Sequence, residues 1–142
     1  MRQLLYCLLL LALMLGPRAE ARGQDVVAVV SARSPVTALN PAQVADIFLG
    51  KTTRFPDGTQ AVPIDQTEES ALREKFYAQF TGKSPAQVKA HWAKIIFTGR
   101  GQPPRQAASS AEVKKLVTEN PQAIGYIDAS QVDSSVRILA AR

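Results

Sequence analysis

Three stretches of this chain combine hydroxyls, cations and backbone N–H groups in a way suited to holding an anion. The first runs from Gln66 to Arg73, QTEESALR, and offers Thr67, Ser70 and Arg73 at a predicted helix start. The leading N–H groups of a helix have no partner inside it, and the helix dipole makes that end positive. Glu68 and Glu69 in the same stretch oppose an anion. The second is Lys51-Thr52-Thr53-Arg54, cations and hydroxyls on a loop. The third is Gly99-Arg100-Gly101 with Arg105 a few residues on. Each has a plain structural competitor. Ser70, Ser109 and Ser110 stand where helix caps are expected, and Arg100 and Arg105 fit a solvated loop or a salt bridge.

Other chemistries have less to build on. His91 is the single histidine, set in an amphipathic helix beside Trp92, with no serine and acid pattern around it. Cys7 is the single cysteine and lies in an apolar run, so no thiolate ligand set exists. Asp65, Glu68 and Glu69 are close in sequence, but an acid–base pair needs convergence in space. No carboxylates fall at calcium-loop spacing. These residues predict no catalytic group, no metal and no cofactor, hence no enzyme. The net charge of +5 is spread along the chain. That suits solvation or attraction for an anion, not nucleic acid, which wants a denser basic stripe with interleaved aromatics.

The first residues read as a cleavable secretory signal. Arg2 precedes an apolar run from Leu4 to Leu15, then Gly16-Pro17, then Ala19-Glu20-Ala21 with the small-x-small form of a cleavage site. The run is too short for a comfortable membrane span. Cleavage after Ala21 makes residues 1–21 the signal and residues 22–142 one mature domain. It removes Arg2, Arg18 and Glu20, which lowers the net charge from +5 to +4. The mature chain would have no cysteine and no transmembrane segment. A small secreted domain without disulfides fits a bacterial periplasm.

The remaining pattern is four helices among about four strands. Val26 to Val30 is apolar on both faces, as in a strand covered on each side. Asn40, Pro41 and Gln43 form a cap, a proline and a capping-box partner for a short helix that ends at Gly50. Ala61 to Ile64 is a short strand whose Pro63 suggests a sheet edge. Ser70 opens a second helix, with Thr67 as a competing start; Leu72, Phe76, Phe80 and Tyr77 face inward and Arg73, Glu74, Lys75 and Gln79 outward. A third helix runs Pro85 to Phe97 behind Ser84, with Val88, Trp92, Ile95 and Ile96 as core. Gly99 to Ala107 is an ordered loop. Ser109 to Glu112 caps a fourth helix, with Val113, Leu116 and Val117 inward. Ala123 to Ile127 is a strand in which Gly125 marks a close approach. Val132 and Val136 to Leu139 supply the last strand. The class is α/β with a mostly covered sheet.

As an ordered set, these segments resemble the phosphate ABC transporter substrate-binding proteins, the periplasmic phosphate-binding group of the type II solute-binding fold. Residues 39–51, LNPAQVADIFLGK, look like that family's helix ending in isoleucine-phenylalanine-x-glycine and a basic residue. Residues 54–64, RFPDGTQAVPI, resemble its aromatic stretch leading into a strand, and residues 123–127, AIGYI, its glycine-tyrosine strand. The resemblance runs from Val26 to Leu139. It implies a single lobe of that fold, since full-length members close two lobes on phosphate. The family's phosphate loop runs asparagine-arginine, two variable residues, then glycine-serine-glycine-threonine before an arginine. Residues 65–73 match it and keep Ser70 and Arg73. Gln66 stands where the arginine would be, which removes a bidentate donor, and Glu69 where the first glycine would be.

The resemblance implies a periplasmic, non-enzymatic protein that takes phosphate or another small anion and serves ABC transport. Gln66, Thr67, Ser70 and Arg73 would carry the ligand, with Lys51, Thr52 and Arg100 as neighbours. The alternative is an interaction module that docks an envelope or transporter protein through an exposed apolar patch near Phe55 or along Tyr77 and Trp92. A homodimer that restores a two-sided cleft is compatible with either.

Overall fold

The computed structural model describes residues 25–141. The predicted signal segment lies outside them. Five strands form one sheet: β1 (Val26–Ser31), β2 (Val62–Gln66), β3 (Arg105–Ala107), β4 (Ala123–Asp128) and β5 (Val136–Ala141). Four helices accompany them: α1 (Pro41–Phe48), α2 (Ala71–Thr81), α3 (Pro85–Phe97) and α4 (Ser110–Glu119). The spatial order is β3-β2-β4-β1-β5. β1 runs antiparallel to both β4 and β5, whereas β2 is parallel to β3 and β4. β1 is thus the one strand of reversed direction.

β1 is buried at all six positions because both faces of the sheet are covered. Val26, Ala28 and Val30 pack with Phe48 of α1, Phe76 of α2 and Trp92 of α3. Val27 and Val29 pack with Val113 and Val117 of α4. So α1 to α3 lie on one face and α4 on the other. The caps form as their sequences require. Asn40 and Gln43 bond reciprocally, as do Ser84 and Gln87. Ser70, and not Thr67, caps α2, and Ser109 caps α4.

Several expectations are corrected. The sheet has five strands, not about four, because Arg105–Ala107 within the expected loop pairs with β2. That strand has three residues and one buried side chain, Ala107, so it carries no alternation to read. β2 is an inner strand despite Pro63. The Val62 N–H bonds toward Gln122 on the β4 side, so the missing N–H of Pro63 falls on the β3 side, where pairing begins only at Ile64. Arg73 is buried, not outward. Ile96, expected in the core, is exposed. Phe55, Tyr77 and Trp92 are all buried and form no surface patch.

Candidate functional site

Three strands deliver their carboxyl ends to one place. β2 ends at Gln66, β3 runs into Ser109 and Ser110, and β4 ends at Asp128. In parallel α/β sheets the region beyond the carboxyl ends is where ligands bind, because helix N-termini and loops gather there. A hollow of about 350 Å³ lies here, lined by Gln66, Ser70, Ala71, Leu72, Ser110, Asp128 and Gln131. It therefore meets the first turns of both α2 and α4.

Gln66 ties these pieces together. Its Nε2 donates to the Tyr126 carbonyl at 3.1 Å and to Ser110 Oγ at 3.3 Å. A carbonyl only accepts, so this contact fixes which end of the amide faces β4. Its Oε1 accepts from Ser70 Oγ at 2.8 Å. Ser70 Oγ in turn accepts from the Arg73 N–H at 3.2 Å, the capping bond of α2. Ser110 Oγ accepts twice, from Gln66 and from the Asp128 N–H at 3.1 Å. Its own hydrogen meets no acceptor among the described residues. Asp128 is the carboxylate at the rim, and its Oδ1 accepts from the Ser130 N–H at 2.9 Å.

Behind the hollow sits a buried acid that the candidate residues did not include. Asp65 is 2% exposed. Its carboxylate accepts from Tyr77 Oη at 2.6 Å, from Tyr126 Oη, and from the Gln66 N–H at 2.8 Å. Arg73 Nε stands 3.4 Å from Asp65 Oδ1, near enough to pair but not aligned as a hydrogen bond. The guanidinium lies 5.0 Å from the Tyr77 ring centroid. Phe76 stacks on the Tyr126 ring at 4.0 Å and meets Phe48 edge-on at 4.8 Å, which aims the Tyr126 hydroxyl at Asp65. The i,i+4 spacing of Arg73 and Tyr77 puts both on one helix face, but no spacing in the sequence joins that face to Asp65.

Burial, then the Asp65 charge, push both phenols well above their ordinary range. A raised tyrosine pKa stabilises the fold while the unfolded chain keeps its protons. Above about pH 10 the unfolded tyrosines ionise first, so that stability is lost progressively as pH rises. Tyr77 and Tyr126 should stay protonated until the chain unfolds. Absorbance of tyrosinate followed against pH alongside circular dichroism checks this; either phenol titrating near pH 10 in a folded chain contradicts it.

The predicted ligand residues separate into different places. Gln66 and Ser70 line the hollow. Thr67 is half-buried, its backbone N–H donating to Ala107 O and its carbonyl accepting from Ser70 N–H. Arg73 turns inward to Asp65 and borders a different hollow with Glu68, Pro85, Ala86 and Lys89. Lys51 is exposed, and Thr52 closes a local turn with Arg54 beside Gln43 and Asp46. Arg100 lies in the loop after α3, in a shallow concavity with Ile96 and Pro103. Glu69 is exposed and does not line the hollow; Asp128 is the carboxylate that does. Ser110 and Asp128 were missed because sequence spacing does not bring α4 and β4 to β2. His91 Nε2 is 2.7 Å from the Leu49 carbonyl. Among the described residues no His, Cys, Asp and Glu group is arranged to hold a metal, and no helix is long and apolar enough to cross a membrane.

No family model and no curated protein matches the chain in sequence. Solved structures do match it in shape. One, from Clostridium perfringens, is described as a phosphate ABC transporter substrate-binding protein with bound phosphate; it is 25% identical, with a TM-score of 0.63. Another is an ABC-type phosphate transport receptor from Vibrio cholerae, 23% identical, with a TM-score of 0.64. PstS from Borrelia burgdorferi matches at 14% identity and a TM-score of 0.60. Each match covers 82% of this chain but only 44%, 45% and 47% of the respective neighbour. The matched part of this chain thus spans less than half the length of those proteins. It has the α/β fold of a single lobe of a type II periplasmic-binding-protein-like structure, and over most of its length it resembles the phosphate ABC transporter substrate-binding proteins.

Proposed function

We propose that this chain is a secreted, periplasmic, PstS-like binding domain, released from residues 1–21, that holds phosphate weakly and serves transport rather than catalysis. The observation that carries this is the meeting of the α2 and α4 first turns, with Ser70 and Ser110, in one hollow beyond three strand ends. Two positive helix ends and a hydroxyl with a spare hydrogen suit a tetrahedral oxyanion. The likeness to structures described as phosphate-binding supports the ligand class.

The same geometry limits affinity. Among the described residues no lysine or arginine lines the hollow, and the Gln66 amide is committed to Ser70, Ser110 and Tyr126. Asp128 at the rim repels a bare dianion but can accept a hydrogen bond. It therefore favours an anion that brings its own proton, such as hydrogen phosphate, over sulfate.

Calorimetric titration at low ionic strength tests this. Phosphate should bind with a dissociation constant on the order of 1 mM, and sulfate more weakly. Ser110→Ala should weaken phosphate about tenfold or more, the value of one hydrogen bond to a charged group. Ser70→Ala should weaken it less, because the Ser70 hydrogen already goes to Gln66, while costing about 1 kcal/mol of stability through the lost cap. Absence of heat from phosphate, with the chain folded, removes the binding half of the proposal.

A further inference from the structure

A second surface lies away from that hollow. Phe97 at the end of α3 is 93% exposed and Ile96 is 55% exposed. The apolar face of α3 is used inward, through Val88 and Trp92. Phe97 instead continues an outward line of Ala86, Ala90 and Ala93, all exposed and spaced four, three and four residues apart. Helix geometry sets Lys89 and Lys94 on either side of that line. Arg100 and Arg105 follow in the exposed segment beyond Gly99. Between Glu74 and Glu112 the chain contains no aspartate or glutamate.

We propose that the carboxyl end of α3 and the loop after it dock the protein on an anionic lipid bilayer, with Phe97 and Ile96 inserted and Lys94, in the last turn of α3, and Arg100, in the concavity with Ile96, against the headgroups. The charge pattern decides the occupant. A second copy would bring the same cations together, with no carboxylate from Lys75 to Ala111 to offset them. An acidic protein partner would need a broad complementary face, since stable interfaces bury roughly 800 Å² on each side. Two adjoining large apolar side chains form a knob, not such a face. A bilayer needs no shape match: it takes an apolar tip into the headgroup boundary and pairs flanking cations with its charge. This surface shares no lining residue with the phosphate hollow, so either proposal can fail alone.

Sedimentation with lipid vesicles tests it, using the full chain as recovered after export. Binding to vesicles of equal parts phosphatidylglycerol and phosphatidylcholine should exceed binding to phosphatidylcholine alone by about tenfold or more, since each cation near the surface contributes roughly fivefold. Added salt should reduce that preference. Phe97→Ser should lower partitioning about tenfold through the lost apolar insertion. Lys94→Glu with Arg100→Glu should abolish the preference for anionic vesicles. Ile138→Ser, at an exposed apolar position on β5, should change nothing. All these positions are exposed, so circular dichroism should be unaltered. Equal binding to neutral and anionic vesicles, or binding indifferent to Phe97→Ser, overturns the proposal; either would be the signature of residues 1–21 acting as a retained anchor. Absence of vesicle binding, with an acidic protein retained instead, overturns it in favour of protein docking.

Discussion

Asp65→Ala should destabilise the chain by about 3–5 kcal/mol, measured as a fall in the urea unfolding midpoint at unchanged slope. The cost comes from what the carboxylate leaves behind. Arg73 would remain almost fully buried with no counter-charge, and the Tyr77 and Tyr126 hydroxyls would lose their acceptor. A buried charge stripped of its partner is among the largest single-residue penalties known. Asp65→Asn keeps the shape and one acceptor oxygen but not the charge, and should cost less than the alanine variant. Adding Arg73→Met to Asp65→Ala should recover part of the loss, because it removes the orphaned charge. A loss below about 1 kcal/mol in Asp65→Ala would mean that the carboxylate does not hold Arg73 in place. The site should report the change as well. The Gln66 N–H bonds Asp65, and the Gln66 side chain orders Ser70 and Ser110. Loosening it should weaken anion binding even where the variant remains folded.

Gly125→Ala is the second large effect, at about 3 kcal/mol, the upper end of the usual overpacking range. A Cβ built at Gly125 falls 2.4 Å from Val113 Cγ1 and 3.2 Å from Val117 Cγ2. Neither side can yield easily. Gly125 is in the inner strand β4, paired on one side with Val29 of β1 and on the other with Ile64 of β2. Val113 and Val117 are fully buried and β-branched, with few rotamers to choose from. Relief must therefore come from moving α4 off the sheet. Ser110 is one turn before Val113, so the same shift should draw its hydroxyl from Gln66 and weaken phosphate. Val113→Ala alone leaves a cavity and should also destabilise. The two changes combined should cost less than their sum by at least about 1 kcal/mol. Additive costs in the cycle would show that the contact does not set the approach of α4.

Local devices were legible in the sequence because each depends on residues within one turn of each other. Asn40-Pro41 with Gln43, and Ser84-Pro85 with Gln87, mark where their helices start, whatever those helices pack against. The run Val26 to Val30 announced a strand covered on both faces, since it has no polar side to turn to water. The vacancy at Gly125 was readable as a close approach, but not which residues approach. The ordered set of segments also carried the fold of a single binding-protein lobe. What tertiary structure alone decided was where polar side chains spend their bonds. Arg73 follows Leu72 on a helix and could face either way; the buried Asp65 carboxylate, with Tyr77 one turn on, turns it inward. Gln66 reads as a substituted ligand residue in sequence, yet β4 and α4 supply it with inward partners. Ser110 and Asp128 join Ser70 only because parallel strands far apart in the chain end side by side. Such pairings are long-range, and each is settled by burial: a polar group removed from water must take the partner that the sheet brings to it.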